Sequence, residues 1–107
     1  MKGQLVGMLR IFVYNPGHPW NGRTCQFAIH ILKEYQNCGL GKHLMSLLDQ
    51  WAKENKMHRI QGSVRTKNDQ GIALYLKSGF AIDGLHRETA FINGHWHDEY
   101  TIYKFID

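Results

Sequence analysis

The stretch Glu34–Leu44, EYQNCGLGKHL, decides how this chain is read. A polar run ends in Gly39 and Gly41, Lys42 follows at once, and apolar residues at helical spacing begin directly after it. Each glycine costs helix propensity at the mouth of a helix, so its presence there needs a reason. A strand, a glycine-rich turn and a helix, in that order, form an arrangement that binds phosphate. The free N–H groups of the first helical turn and the positive end of the helix dipole face whatever lies over the turn. Gly39 and Gly41 then remove the Cβ atoms that would hold an anion away, and Lys42 adds a formal charge. The spacing matches neither the GxGxxG of a dinucleotide fold nor a P-loop. A tight turn with close helix–strand packing explains a bare GxG equally well, and the spacing alone leaves both readings open.

Downstream of the turn, Leu44, Leu47, Leu48, Trp51 and Ala52 fall at i, i+3, i+4, i+7 and i+8. They predict an amphipathic helix that fades near Asn55–Lys56. Upstream, RTCQFAIHILK (23–33) predicts a strand. The proline- and glycine-rich segment 15–22 joins it to an antiparallel strand over 4–14. HRIQGSV (58–64) predicts a strand parallel to 23–33, completing a strand–helix–strand crossover. RTKNDQG (65–71) is a polar break with Asn68 or Asp69 as the N-cap. A short helix through Ile72, Leu74, Tyr75 and Leu76 follows, closed by a left-handed Gly79. Two more strands, 80–91 and 95–105, flank Asn93-Gly94, the strongest short hairpin signal. No repeat or compositional boundary interrupts the chain. The expected fold is a single α/β domain over residues 1–107, a mixed, mostly antiparallel sheet of about five strands with two helices.

Composition narrows the partners. At 107 residues and 43% hydrophobic, the chain can build one real core. It has no apolar run long enough to span a bilayer and no signal peptide, so no membrane partner is expected. Cys25 and Cys38 form no CxxC and no disulfide framework, which suits a reducing cytoplasm. A net charge of +4 and a pI near 9.2 favour an anionic partner. The basic residues are scattered, so a phosphorylated small ligand satisfies that charge as well as nucleic acid does. Nucleic-acid binding needs a basic stripe with stacking aromatics, and here the aromatics fall at apparent core positions. No nucleic-acid partner is expected. His95 and His97 form an HxH pair without a third ligand at a sensible spacing, so no metal is expected.

At this point the residues resemble a known family. QNCGLG, Gln36 to Gly41, is similar to the Q/R-x-x-G-x-G/A signature of the GNAT superfamily of acyl-CoA-dependent N-acyltransferases. The helix containing LLDQWAKEN resembles the one that follows that signature. NDQGIALYLKSGF, Asn68 to Phe80, resembles a later family block, with Asn68, Ala73, Leu74, Tyr75, Lys77, Gly79 and Phe80 in place. GLHRETAFINGHWHDEY resembles the final hairpin of one branch. Order and spacing agree over roughly residues 5–106.

The resemblance implies a GNAT-like acyl-CoA N-acyltransferase fold with acetyl-CoA as co-substrate. It would lie in a gap between strands 23–33 and 58–64. Its pantetheine arm would pair with the edge at Ile29, His30 and Ile31, as an added β-strand does. Its pyrophosphate would rest on the backbone of Asn37, Cys38, Gly39, Leu40, Gly41 and Lys42, and Asn68 would hydrogen-bond the arm. Tyr75 would donate a proton to the departing thiolate; otherwise its ring only packs on the long helix. His30 is a candidate base, since histidine titrates near neutrality. Alternation puts it opposite Ile29 and Ile31, which equally fits an ordinary strand histidine. Asp98, Glu99 and water are further candidates.

The implied activity is transfer of an acetyl group to a primary amine of a small molecule or protein. The alternative is an acyl-CoA-binding module without turnover. Family members begin with a strand, two helices and a further strand, whereas Met1-Lys2-Gly3 leads almost directly into LVG. The chain is therefore expected to be N-terminally truncated and to lack much of the acceptor half. A homodimer is expected to cover the exposed sheet.

Overall fold

The computed structural model describes residues 7–36 and 38–106. The elements run β1 (Gly7–Tyr14), β2 (Thr24–Ile31), α1 (Leu40–Glu54), β3 (Arg59–Arg65), α2 (Asp69–Lys77), β4 (Ala81–Ile92) and β5 (His95–Phe105). They form one five-stranded sheet in the order β1-β2-β3-β5-β4. Only β2 and β3 are parallel; the other three neighbouring pairs are antiparallel. This is the α/β arrangement expected from the sequence, and α1 makes the crossover between the parallel strands. Residues 4–6 of the expected first strand lie outside the described residues.

Alternation along the strands sorts the side chains. Cys25, Phe27, Ile60, Val64 and Ile102 share a core with Met45, Leu48 and Ala52 of α1 and Tyr75 of α2. Both helices therefore cover one face of the sheet. Leu48, Ile60 and Ile102 are fully buried, each contributing about 1.5–3 kcal/mol relative to exposure. Burial also pushes the Cys25 thiol up to about 11, which leaves it protonated and unreactive at neutral pH. On the opposite face β1 and β2 present Met8, Phe12, Gln26, Ala28 and His30 to solvent.

The turn chemistry follows the residues. Asn93 and Gly94 both take positive φ, 52° and 80°, as a two-residue hairpin turn demands. Gly79 ends α2 at φ 94°. Asn68, not Asp69, caps α2, its Oδ1 accepting from the Gly71 N–H at 3.0 Å.

Two expectations need correcting. The apolar face of α1 centres on Met45, Leu48 and Ala52, at i, i+3 and i+7, whereas Leu47 is 42% exposed. Leu48 and Ala52 of the expected face are buried and Trp51 packs against the core, while Leu47 leaves it and the flexible Met45 joins it. The second strand stops at Ile31, and Lys33–Tyr35 form a 3-10 turn closed by Tyr35 N–H donating to Leu32 O at 2.9 Å. That tight turn swings the chain from the end of β2 to the start of α1.

Candidate functional site

The glycine turn does two separate jobs. Gly39 is the N-cap of α1 at φ 86°, a conformation that costs an L-residue about 1–2 kcal/mol. Gly41 lies within the first helical turn, where a Cβ would meet Leu74 Cδ2 at 3.0 Å and Ile31 Cδ1 at 3.5 Å. Close packing is thus real at Gly41, and the surface it leaves bare is a cleft. Among the described residues no side chain caps α1. His43 N–H bonds back to Gly39 O at 3.0 Å, so the N–H groups of Leu40, Gly41 and Lys42 precede the helical ladder as its orphan donors. The Leu40 side chain is turned away toward β1, within 2.9 Å of where a Gly7 Cβ would sit. Cys38 is exposed with its thiol on the Tyr35 carbonyl. Asn37, also expected here, lies outside the described residues.

Beside this turn the sheet opens. β2 and β3 pair only from Thr24/Arg59 to Gln26/Gln61, although β2 continues to Ile31 against β1. The edge of β2 at Ile29–Ile31 therefore faces a gap on its β3 side. Gly62 helps to shape that gap, since a Cβ there would lie 2.6 Å from the Phe27 ring. A cavity of about 350 Å³ fills the opening, lined by Ile29, Ile31, Gly39, Gly41, Lys42, Asn68, Leu74 and Tyr75 among others. Strand edge, orphan amides and a cation thus meet in one cleft. Asn68 commits its Oδ1 to the α2 cap, so its Nδ2 is the group left to donate into the cleft.

Tyr75 is 6% exposed, with its ring edge-on to Phe27 at 5.5 Å and to Phe80 at 6.1 Å. Burial holds its phenol above the ordinary tyrosine range, so the hydroxyl keeps its proton at neutral pH. Tyr75 and Ile29 line the cleft and also a second cavity beside it. His30 is exposed, stands opposite Met8 in the β1–β2 ladder, and lines neither cavity.

Several contributors were not singled out from the sequence. Gln36 ties the turn to the end of β2, its Nε2 donating to Ile31 O at 3.1 Å. Gln70 and Gly71 complete the cleft. The second cavity takes Gln26, Gln61, Ser63, His86 and Thr101 from strands far apart in sequence, beside Glu99, which the sequence did offer as a candidate base. Strand alternation predicts that Gln61, Ser63, Thr101 and Glu99 share a face; only the β3–β5 register shows that they are neighbours. His95 and His97 gain no metal-binding cluster among the described residues. No helix among them is long and apolar enough to cross a membrane.

Comparison with known proteins agrees with this geometry. Residues 1–80 match the model of the acetyltransferase (GNAT) family. The L-amino acid N-acetyltransferase AaaT of Escherichia coli is 30% identical over 104 residues, covering 94% of this chain and 61% of that protein. The spermidine N(1)-acetyltransferase of Vibrio cholerae is 30% identical over 100 residues, covering 92% of this chain and 56% of that protein. The chain thus spans about three-fifths of the length of these relatives. Among solved structures, a GNAT-family acetyltransferase from Streptococcus pneumoniae superposes with a TM-score of 0.89 at 30% identity, over 100% of this chain and 63% of that one. The yncA protein of Salmonella typhimurium, solved with acetyl-CoA, shares the fold at a TM-score of 0.86 and 20% identity, over 99% of this chain and 61% of that one. With both glycines, Asn68 and Tyr75 gathered on one cleft, the chain belongs to the GNAT acetyltransferase family.

Proposed function

We propose that this chain binds acetyl-CoA in the β2/β3 gap and passes its acetyl group to a primary amine. One observation carries the reading: the parallel ladder ends at Gln26/Gln61, so an open strand edge, an uncapped helix N-terminus and Tyr75 share one cleft. The edge at Ile29–Ile31 offers main-chain groups to the amides of a pantetheine arm. The N–H groups of Leu40, Gly41 and Lys42, with the Lys42 charge, suit a pyrophosphate. Asn68 Nδ2 reaches the arm, and the Tyr75 hydroxyl stands ready for the sulfur. When the amine attacks the thioester carbon, a C–N bond forms and the C–S bond breaks. Tyr75 protonates the thiolate and recovers the proton shed by the new amide nitrogen. The names of the two relatives, an L-amino acid N-acetyltransferase and a spermidine N(1)-acetyltransferase, support an amine acceptor.

The test joins calorimetric titration with CoA to thiol release from acetyl-CoA over a panel of primary amines. Binding with amine-dependent release is expected. No measurable CoA binding overturns the reading, and binding without release from any amine leaves an acyl-CoA-binding module. The reading assigns the positive charge at Lys42 to the phosphates of CoA and not to nucleic acid. Cytoplasmic residence is part of it, supported by two free cysteines, Cys25 and Cys38.

A homodimer completes the proposal. The sheet face away from both helices leaves Met8, Phe12, Tyr14 and Phe105 between 40% and 54% exposed. A second copy seated there would remove that apolar surface from water. Sedimentation at micromolar concentration is expected to give twice the chain mass, and a stable monomer would refute the dimer.

A further inference from the structure

This inference rests on the acetyl-transfer reading and deepens it by assigning the acceptor. The second cavity, about 560 Å³, shares Tyr75 and Ile29 with the lining of the cleft. Its lining contains uncharged polar groups from Gln26, Gln61, Ser63 and Thr101, and apart from Tyr75 its ionisable side chains are His86 and Glu99. Among the described residues no lysine or arginine belongs to that lining. Arg65 of β3 is the register partner of Glu99 yet does not line the cavity, and His97 lies two positions along β5.

Glu99 lines this cavity and the adjacent Asp98 does not. Between the His86/Glu99 and Ala90/His97 pairs, β4 advances four residues while β5 advances two. This bulge puts Glu88 at φ 54°, with its N–H donating to Asp98 Oδ1 at 2.8 Å. Asp98 is thus tied to the bulge through one oxygen, and it does not line the cavity. The same bulge brings Thr89 Oγ1 to donate to Glu99 Oε1 at 2.8 Å. One oxygen of Glu99 is fixed, and Oε2 remains to accept from a ligand. Bulges often re-aim a side chain beside an active site, and here the side chain is a carboxylate in a cavity that Tyr75 also lines.

We propose that the second cavity receives the acceptor as a primary alkylammonium ion without a carboxylate on its amine carbon, and that Glu99 holds that ammonium and takes its proton. The Glu99 carboxylate becomes a neutral acid, and the amine gains the lone pair that attacks the thioester carbon. After the amide leaves, Glu99 returns its proton to water. Loading the cavity removes water from both charges, which favours the neutral pair over the ion pair. An α-amino acid is disfavoured because its carboxylate would meet Glu99, with no lysine or arginine among the described lining residues to offset the repulsion.

The test is calorimetric titration of butylamine and of norvaline, its counterpart with a carboxylate on the amine carbon. Each is run with and without CoA, on the wild type and on Glu99→Gln. Wild type is expected to bind butylamine at least about tenfold more tightly than does Glu99→Gln, with equal CoA affinity and equal melting temperature. With acetyl-CoA, Glu99→Gln is expected to lower kcat about 10²- to 10⁴-fold. Thr89→Val frees Oε1 and should weaken butylamine binding several-fold without touching CoA affinity, so the test survives if Glu99→Gln does not fold. Equal butylamine binding by wild type and variants overturns the role of Glu99. Norvaline bound as tightly as butylamine overturns the acceptor class. Should wild type fail to bind CoA, the acetyl-transfer reading falls alone, because titration without CoA still reports on Glu99.

Discussion

Gly41→Val is expected to abolish CoA binding while leaving the protein folded. A single Cβ at this position already comes within 3.0 Å of Leu74 Cδ2. Valine adds two methyl groups beyond that Cβ, and its first-turn position aims them at the floor of the cleft. They occupy space the pyrophosphate would need against the N–H groups of Leu40 to Lys42. The backbone itself does not object, because Gly41 lies within α1 and has no positive φ. Its overpacking cost falls on the movable end of Leu74, about 1–3 kcal/mol at most. Calorimetry should therefore find no CoA binding in a variant whose thermal unfolding stays cooperative. Wild-type CoA affinity in a folded Gly41→Val protein would remove the phosphate from this turn and leave Gly41 a packing glycine only.

The two glycines illustrate what the sequence could and could not settle. Their place between a strand and an amphipathic helix was legible, because period-2 and period-3.6 patterns meet at that point. Their division of labour was not. Only the backbone shows that Gly39 is required by its φ and Gly41 by the closeness of Leu74, two residues thirty-three positions apart. Asn93-Gly94 and Gly79 were readable because turn and cap chemistry is local. Leu48, Trp51 and Ala52 were legible on the core face of α1, whereas Met45 was not, because its long flexible side chain reaches the core from the flank of the i, i+3, i+4 stripe.

The gap between β2 and β3 had no local signature at all. Nothing in TCQFAIHIL tells where pairing with RIQGSV stops; the splay arises where Phe27 crosses Gly62 and needs room. The same is true of the β4 bulge. Residues 86–90 carry no glycine or proline to announce it, and Glu88 takes its positive φ with Asp98 as partner across the ladder. Sequence reading could offer Asp98 and Glu99 as adjacent carboxylates but had no means to separate them. Register and bulge separate them, sending one to the backbone and the other to a cavity. His30, chosen for its titration range, stands on an exposed position outside both cavities.

Tyr75→Phe is expected to lower kcat by about 10- to 1000-fold, overlapping the range of general acid–base catalysis. The substitution removes one oxygen and keeps the ring, so the edge contacts with Phe27 and Phe80 persist. Tyr75 is 6% exposed and lines both cavities, between which a thioester sulfur and an attacking amine would meet. Burial holds the phenol protonated across the neutral range, so the donor is available to a departing thiolate at any pH the enzyme would work. Loss of that donor raises the barrier to C–S cleavage but leaves the contacts to the pyrophosphate and arm in place. Acetyl-CoA affinity should therefore change little, and the defect should appear in kcat. Single-turnover measurement of thiol release at saturating amine isolates the chemical step. A dissociation constant that rises in proportion to the rate loss would make Tyr75 a binding residue, and a wild-type rate would leave it as packing between Phe27 and Phe80.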